Sequence, residues 1–118
     1  MSQHRNDPVE LLIEEYVSGA SQWAQIQGDA AAANPVFDRL QQLQKVLRTS
    51  TQGRAAMSDL ITSEVAGVRL IAATHVLAFD PDAAVRVLEE LEVGSGLHAL
   101  SAKYTLLSYR AGKLDLDW

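Results

Sequence analysis

Apolar residues return every three or four positions over most of this chain, the spacing that lines one side of an α-helix. The first stripe runs through Val9, Leu12, Ile13, Tyr16, Val17, Ala20, Trp23 and Ala24, with Glu10, Glu14 and Glu15 on the opposite side. Asp7-Pro8-Val9-Glu10 supplies its start. Asp7 can cap, Pro8 suits the first helical position, and Glu10 stands where a capping box places it. Gly19 weakens this helix without ending it, and the pattern predicts an end near Gln27-Gly28. A second stripe of Val36, Phe37, Leu40, Leu43 and Leu47 allows two starts. Either Asn34 caps a helix beginning at Pro35, or Asp29 caps one in which Pro35 sits within the first turns.

Thr49-Ser50-Thr51-Gln52-Gly53 predicts a loop, followed by a short helix over 54–61 with Met57, Leu60 and Ile61 apolar. Thr62-Ser63-Glu64 then caps a fourth helix reaching Phe79. It is apolar on most sides (Val65, Val68, Leu70, Ile71, Ala72, Ala73, Val76, Leu77), which predicts that other helices surround it. Asp80-Pro81-Asp82 repeats the cap-then-proline start for a helix over 81–92, with Ala84, Val87, Leu88 and Leu91 inside. Val93-Gly94-Ser95-Gly96 leads to a sixth helix over 97–111, with Leu100, Tyr104 and Leu107 expected in the core and Gly112 as its stop. Residues 1–7 and 113–118 are left as tails. No segment alternates as a strand does, so the expectation is a single all-α domain, 1–118, of about six helices in antiparallel pairs.

A shift of 30 residues lays 68–79 on 98–109, matching Leu70 with Leu100, Ala72 with Ala102, Leu77 with Leu107 and Phe79 with Tyr109. A repeat of this kind predicts a stacked array. Val68-Arg69, Ala72-Ala73 and Leu77 after a short helix and turn resemble short-period HEAT-like repeats, with His98-Ala99 departing from the pattern in the last unit. Four segments carry a wider resemblance: Leu11-Leu12-Ile13-Glu14-Glu15-Tyr16-Val17, Phe37-Asp38-Arg39-Leu40, Val68-Arg69 with its alanines, and Tyr109-Arg110-Ala111-Gly112-Lys113. Together they resemble a bacterial domain-of-unknown-function family (number two-zero-one-nine). That resemblance implies a small HEAT/ARM-like helical protein without catalysis. Members of the family beside secreted-toxin genes imply an immunity role.

Composition narrows the choices. At 118 residues, 47% of them hydrophobic, the chain can bury a core unaided, and the absence of cysteine excludes disulfides, thiolate metal sites and thiol nucleophiles. The longest apolar stretch, 65–79, carries Arg69 and His75 and is too short to span a bilayer. Met1-Ser2-Gln3-His4-Arg5 opens no secretory signal, so a cytoplasmic location with no membrane contact is expected. A net charge of −5 argues against nucleic acid as partner. The basic positions Arg39, Lys45, Arg48 and Arg54 read as a solvated helix face.

The chemistry-bearing residues form no catalytic set. His4, His75 and His98 lack the spacing of metal ligands, Gly94-Ser95-Gly96 lacks the partners of a phosphate loop, and no nucleophile elbow is present. No catalytic residue, cofactor or metal is therefore expected. An enzyme would need His75 in a pocket with a carboxylate from another helix, whereas a greasy helix predicts a packed, hydrogen-bonded His75. His98, at a helix start, is expected to be exposed. Arg69 and Arg86 are expected to bridge to neighbouring helices.

Two carboxylate groups, Glu10, Glu14, Glu15 and Glu89, Glu90, Glu92, lie on solvent faces. As a binding surface they would steer a basic partner, with Trp118 as a possible anchor that more readily packs back on the domain. The expectation is a non-enzymatic protein-binding module, and within that class an immunity protein that occludes the basic cleft of a toxin. The alternative is a self-associating scaffold or adaptor that forms a homodimer through an exposed apolar face.

Overall fold

The structure, a computed structural model, describes residues 8–117. The expected cap Asp7, the tail 1–7 and the anchor Trp118 lie outside the described residues. Six α-helices follow one another: α1 Pro8–Ile26, α2 Ala30–Leu47, α3 Thr51–Leu60, α4 Ala66–Val76, α5 Pro81–Glu92 and α6 Leu97–Arg110. The described residues contain no strand.

Local chemistry explains each boundary. Asp29 starts α2: its backbone is extended and its side chain accepts from the Ala32 N–H at 3.3 Å. Of the two possible starts for this helix, the earlier one is therefore adopted. Pro35 lies inside it and removes one intrahelical hydrogen bond, at a place where Ala31 and Pro35 are both exposed and water can serve the freed carbonyl. The loop expected over 49–53 is mostly helix. Ser50 Oγ accepts from the Gly53 N–H at 3.0 Å and so starts α3 at Thr51. Gly53 is required there, because a methyl group at that position would overlap the Leu47 carbonyl.

The fourth helix begins later than Thr62-Ser63-Glu64 suggests. Ser63 Oγ instead accepts from the Val65 N–H at 3.1 Å, and Arg69 donates to the Ser63 carbonyl at 2.7 Å. Arg69 thus ties down its own connection and bridges to no other helix among the described residues. Asp80 caps α5 as expected. Gly112, at φ +71°, closes α6 with paired bonds from the Gly112 and Lys113 N–H groups to the Tyr109 and Ser108 carbonyls.

Helix α4 is the centre of the packing. It contacts α1, α3, α5 and α6, while α2 packs chiefly on α1. Nine of its eleven residues are buried, which accounts for its apolar circumference. Gly67 lets α1 approach: a methyl group there would stand 2.6 Å from the Ala24 side chain. One hydrophobic cluster draws on all six helices, and the radius of gyration is 14.0 Å. A chain of this length folded around one core is expected at about 13–14 Å.

The expected core face of α6 is corrected. Leu100, Tyr104 and Leu107 are 48%, 60% and 53% exposed, and α6 buries Ala99, Ala102 and Leu106 instead. The small alanines permit close approach to α5 and α4, so that face turns inward and the larger side chains are left outside. The 30-residue pairing accordingly breaks in phase. Ala72 and Ala102 are both fully buried, but Leu70 and Leu77 are core residues while Leu100 and Leu107 are not. Residues 114–117 of the C-terminal tail lie along α2 as a strap.

Candidate functional site

On α6 the residues turned outward are Leu97, Leu100, Tyr104 and Leu107, with Leu97 54% exposed. Their spacing of three, four and three residues is that of an a/d seam, the pattern by which one helix receives another. Four large apolar side chains in one contiguous line exceed the scattered exposure of an ordinary surface.

A groove runs beside the seam. One part is lined by Trp23, Gln27, Ala33, Phe37, Leu97 and Ser101, and the next by Trp23, Phe37, Ile71, Ser101, Tyr104 and Leu114. The shared residues Trp23, Phe37 and Ser101 make the two parts continuous. The groove thus lies between α2 and α6 over a floor from α1 and α4, and Leu114 of the strap stands at one end. Polar groups are few and placed: Gln27 donates to Ser101 Oγ at 3.0 Å, and Gln27 Oε1 is buried without a donor. An apolar trough with a few fixed polar groups is the usual form of a recognition site.

The basic residues Arg39, Lys45 and Arg48 at α2 and Arg54 on α3 all have partners, with Arg39 exposed and the other three half-buried. Arg39 forms a two-pronged pair with Glu15, at 2.5 and 2.8 Å. Arg48 pairs with Asp117, and Lys45 Nζ reaches the Asp117 carbonyl at 3.3 Å. Arg54 donates to the Arg48 carbonyl at 2.8 Å. Gln41 and Gln44, which the sequence reading passed over, are 1% and 0% exposed and both donate to the Leu116 carbonyl. Their spacing of three residues on a face otherwise formed by leucines was the available signal.

His75 is fully buried, with Nδ1 2.6 Å from the Tyr16 hydroxyl and its ring against Phe37. Burial, with a smaller effect of the Arg48 charge, lowers its pKa to about 3, and burial raises that of Tyr16. Both are therefore neutral at pH 7. In the arrangement where the hydroxyl donates to Nδ1, the ring proton sits on Nε2, which has no partner. His75 is not among the residues lining the groove. His98, expected to be exposed, is half-buried against the Gly67 backbone.

The carboxylates do not form one patch. Glu10, Glu14 and Glu15 stand on α1, and Glu89, Glu90 and Glu92 on α5, two helices that are not packing partners. Glu15 is engaged by Arg39, which holds its carboxyl below the usual value, and Glu89 is engaged by Arg110 at 2.6 Å. Glu14 and Glu90 are exposed, and Glu10 and Glu92 are half-buried. Arg86 is exposed and bridges to no carboxylate among the described residues.

No group of three or more metal-ligating side chains occurs among the described residues, and no described helix is long and apolar enough to cross a membrane. What the fold and the site define is an all-helical protein with an exposed helix seam and an adjoining groove. No protein-family model, curated protein or solved structure matches the chain.

Proposed function

We propose that this chain is a non-enzymatic protein-docking module that receives an amphipathic helix of a partner protein along α6 and the groove beside it. The observation that carries the reading is the exposed seam of Leu97, Leu100, Tyr104 and Leu107. A partner helix with apolar residues at matching spacing would cover the seam and lodge one side chain in the groove over Trp23 and Phe37. Tyr104 brings a rigid ring and a hydroxyl to the middle of this surface, the type of residue that dominates binding energy. Lys103 borders the seam, exposed and without an ion pair among the described residues, which favours a partner helix flanked by carboxylates.

A second reading is the immunity-type inhibitor, in which acidic helices cover the basic cleft of a toxin. Its support is that Glu14 and Glu90 are exposed with no ion pair among the described residues. The likeness to the bacterial family of unknown function belongs with that reading.

Photo-crosslinking from position 100 or 104, followed by mapping of the captured residues, tests both. The docking reading expects crosslinks to one helical segment and loss of the complex in Leu100→Asp, with Glu14→Gln and Glu90→Gln silent. A complex lost in the glutamine variants, weakened steeply by salt and unaffected by Leu100→Asp, would sink it in favour of the acidic surface. Light scattering on the purified chain supplies the third arm. A dimer crosslinked through the same seam would make a second copy the occupant, as the scaffold alternative expects.

A further inference from the structure

The face of α2 beneath the strap is built to hold main chain that has no helix or strand of its own. Gln41 and Gln44 stand side by side, one helical turn apart, and their carboxamides converge on the Leu116 carbonyl at 2.6 and 2.7 Å. Arg48 adds a longer contact to the same oxygen at 3.4 Å, donates to Gln44 Oε1, and pairs with the Asp117 carboxylate. Burying two primary amides is costly unless each is used. Here both hold a segment with no regular structure of its own. Leu114 and Leu116 half-bury their side chains against the core cluster. The site therefore selects a leucine, an aspartate whose carboxylate accepts from the Asp117 N–H at 2.8 Å, a second leucine and a second aspartate, with a bend at Leu116.

Two features mark this segment as an exchangeable ligand. Residues 113–117 contain no helix or strand and follow a helix that Gly112 has already closed. Among the described residues their hydrogen bonds to α2 are made by Leu116 and Asp117. The fit is also incomplete. Gln41 Oε1 is buried without a donor, an acceptor that the strap leaves unused. An occupant that supplied an N–H there would be held better.

We propose that Gln41, Gln44 and Arg48 form a binding site for a bent Leu-Asp-Leu-Asp segment of a partner protein, with residues 114–117 seated in it as a tethered ligand. This assignment does not rest on the α6 reading. A tethered segment competes at an effective concentration on the order of millimolar. Uptake from solution therefore requires a better-fitting segment or a weakened strap.

The probe is a fluorescein-labelled peptide with the sequence of residues 112–117, Gly-Lys-Leu-Asp-Leu-Asp. It is titrated by anisotropy into the full chain and into the full-length double variant Leu116→Ala, Asp117→Ala. The expected result is binding at least tenfold tighter to the double variant, abolished when Gln44→Leu and Arg48→Ala are added. Equal binding by the chain and a double variant with unchanged circular dichroism would overturn the proposal. Should the double variant unfold, the side-chain amide resonances of Gln41 and Gln44 in the unaltered chain are followed under millimolar unlabelled peptide. Shifts confined to those amides and their neighbours support the site, and unmoved resonances refute it. A dimer of the unliganded chain that exchanges its straps would make a second copy the occupant and overturn the partner assignment.

Discussion

Lowering the pH from 7.5 to 5 should destabilise the fold by an amount set by one buried imidazole. His75 has no exposed surface, and burial, followed by the charge of Arg48, holds its pKa near 3. In the unfolded chain it returns to about 6.5. Between those values the unfolded chain binds one proton more than the folded chain, so stability falls with falling pH by about 1.4 kcal/mol per unit. At pH 5, roughly 1.5 units below the unfolded value, the loss is about 2 kcal/mol. Above about pH 7 the imidazole is neutral in both states and contributes no slope. For a chain of 118 residues the loss at pH 5 lowers the thermal midpoint by roughly 6–12 °C.

The assay is urea unfolding followed by circular dichroism at pH 7.5, 6 and 5. Glu15, whose carboxyl Arg39 holds below 4.5, adds its own loss only below that value, outside the window. The control is the double variant Tyr16→Phe, His75→Leu, which replaces the hydrogen-bonded pair with apolar groups and leaves no polar group unpaired between them. It should unfold at nearly the same urea concentration at pH 7.5 and lose the slope between pH 7 and 5. A flat profile in the unaltered chain, or an undiminished slope in the double variant, would refute the reasoning. At the alkaline end the sign follows Tyr16. Its pKa is raised in the fold, so stability is retained below about pH 10 and lost as the unfolded phenol ionises above it.

Substitutions at four further positions test the packing and a helix cap, each by urea unfolding at pH 7.5. Leu106→Ala should cost about 2–5 kcal/mol while Leu107→Ala one position on stays within about 0.5 kcal/mol, because the first is 1% exposed and the second 53%. The reverse order would restore the core face first read from the sequence. Gly53→Ala should cost more than about 2 kcal/mol, since its methyl group meets the Leu47 main chain and α3 must shift. Asp29→Ala should cost about 1 kcal/mol through the lost cap on α2, and Asp29→Asn should recover most of it.

The sequence made the helices legible because their signals are local. Asp80-Pro81 fixes the start of α5 within a residue, and the greasy circumference of α4 announces its central place. The sequence predicts a loop before α3 because Thr51 and Gly53 are poor helix formers taken singly. A serine cap and a tight approach to Leu47, visible only in three dimensions, turn them helical. The strap was illegible for a related reason. Gln41, Gln44 and Arg48 look like ordinary polar residues until the C-terminal segment, some 70 residues away in sequence, arrives to accept their hydrogen bonds. The two carboxylate groups were visible as groups, but nothing local shows that α1 and α5 are not packing partners.

Helix α6 shows most clearly where pattern reading loses its hold and where function enters. Its sequence offers two apolar stripes, one of alanines with Leu106 and one of larger side chains, and period alone cannot rank them. Packing ranks them: the small stripe brings α6 close to α4 and α5, and that choice commits the large stripe to water. For folding alone, polar residues at 97, 100, 104 and 107 would serve as well, and they would improve solubility. Leucines and a tyrosine at those four places, in the register of a helix seam and beside a groove floored by Trp23 and Phe37, instead match what a second helix requires. The feature that defeats a fold prediction at α6 is thus the same one that supports a docking role.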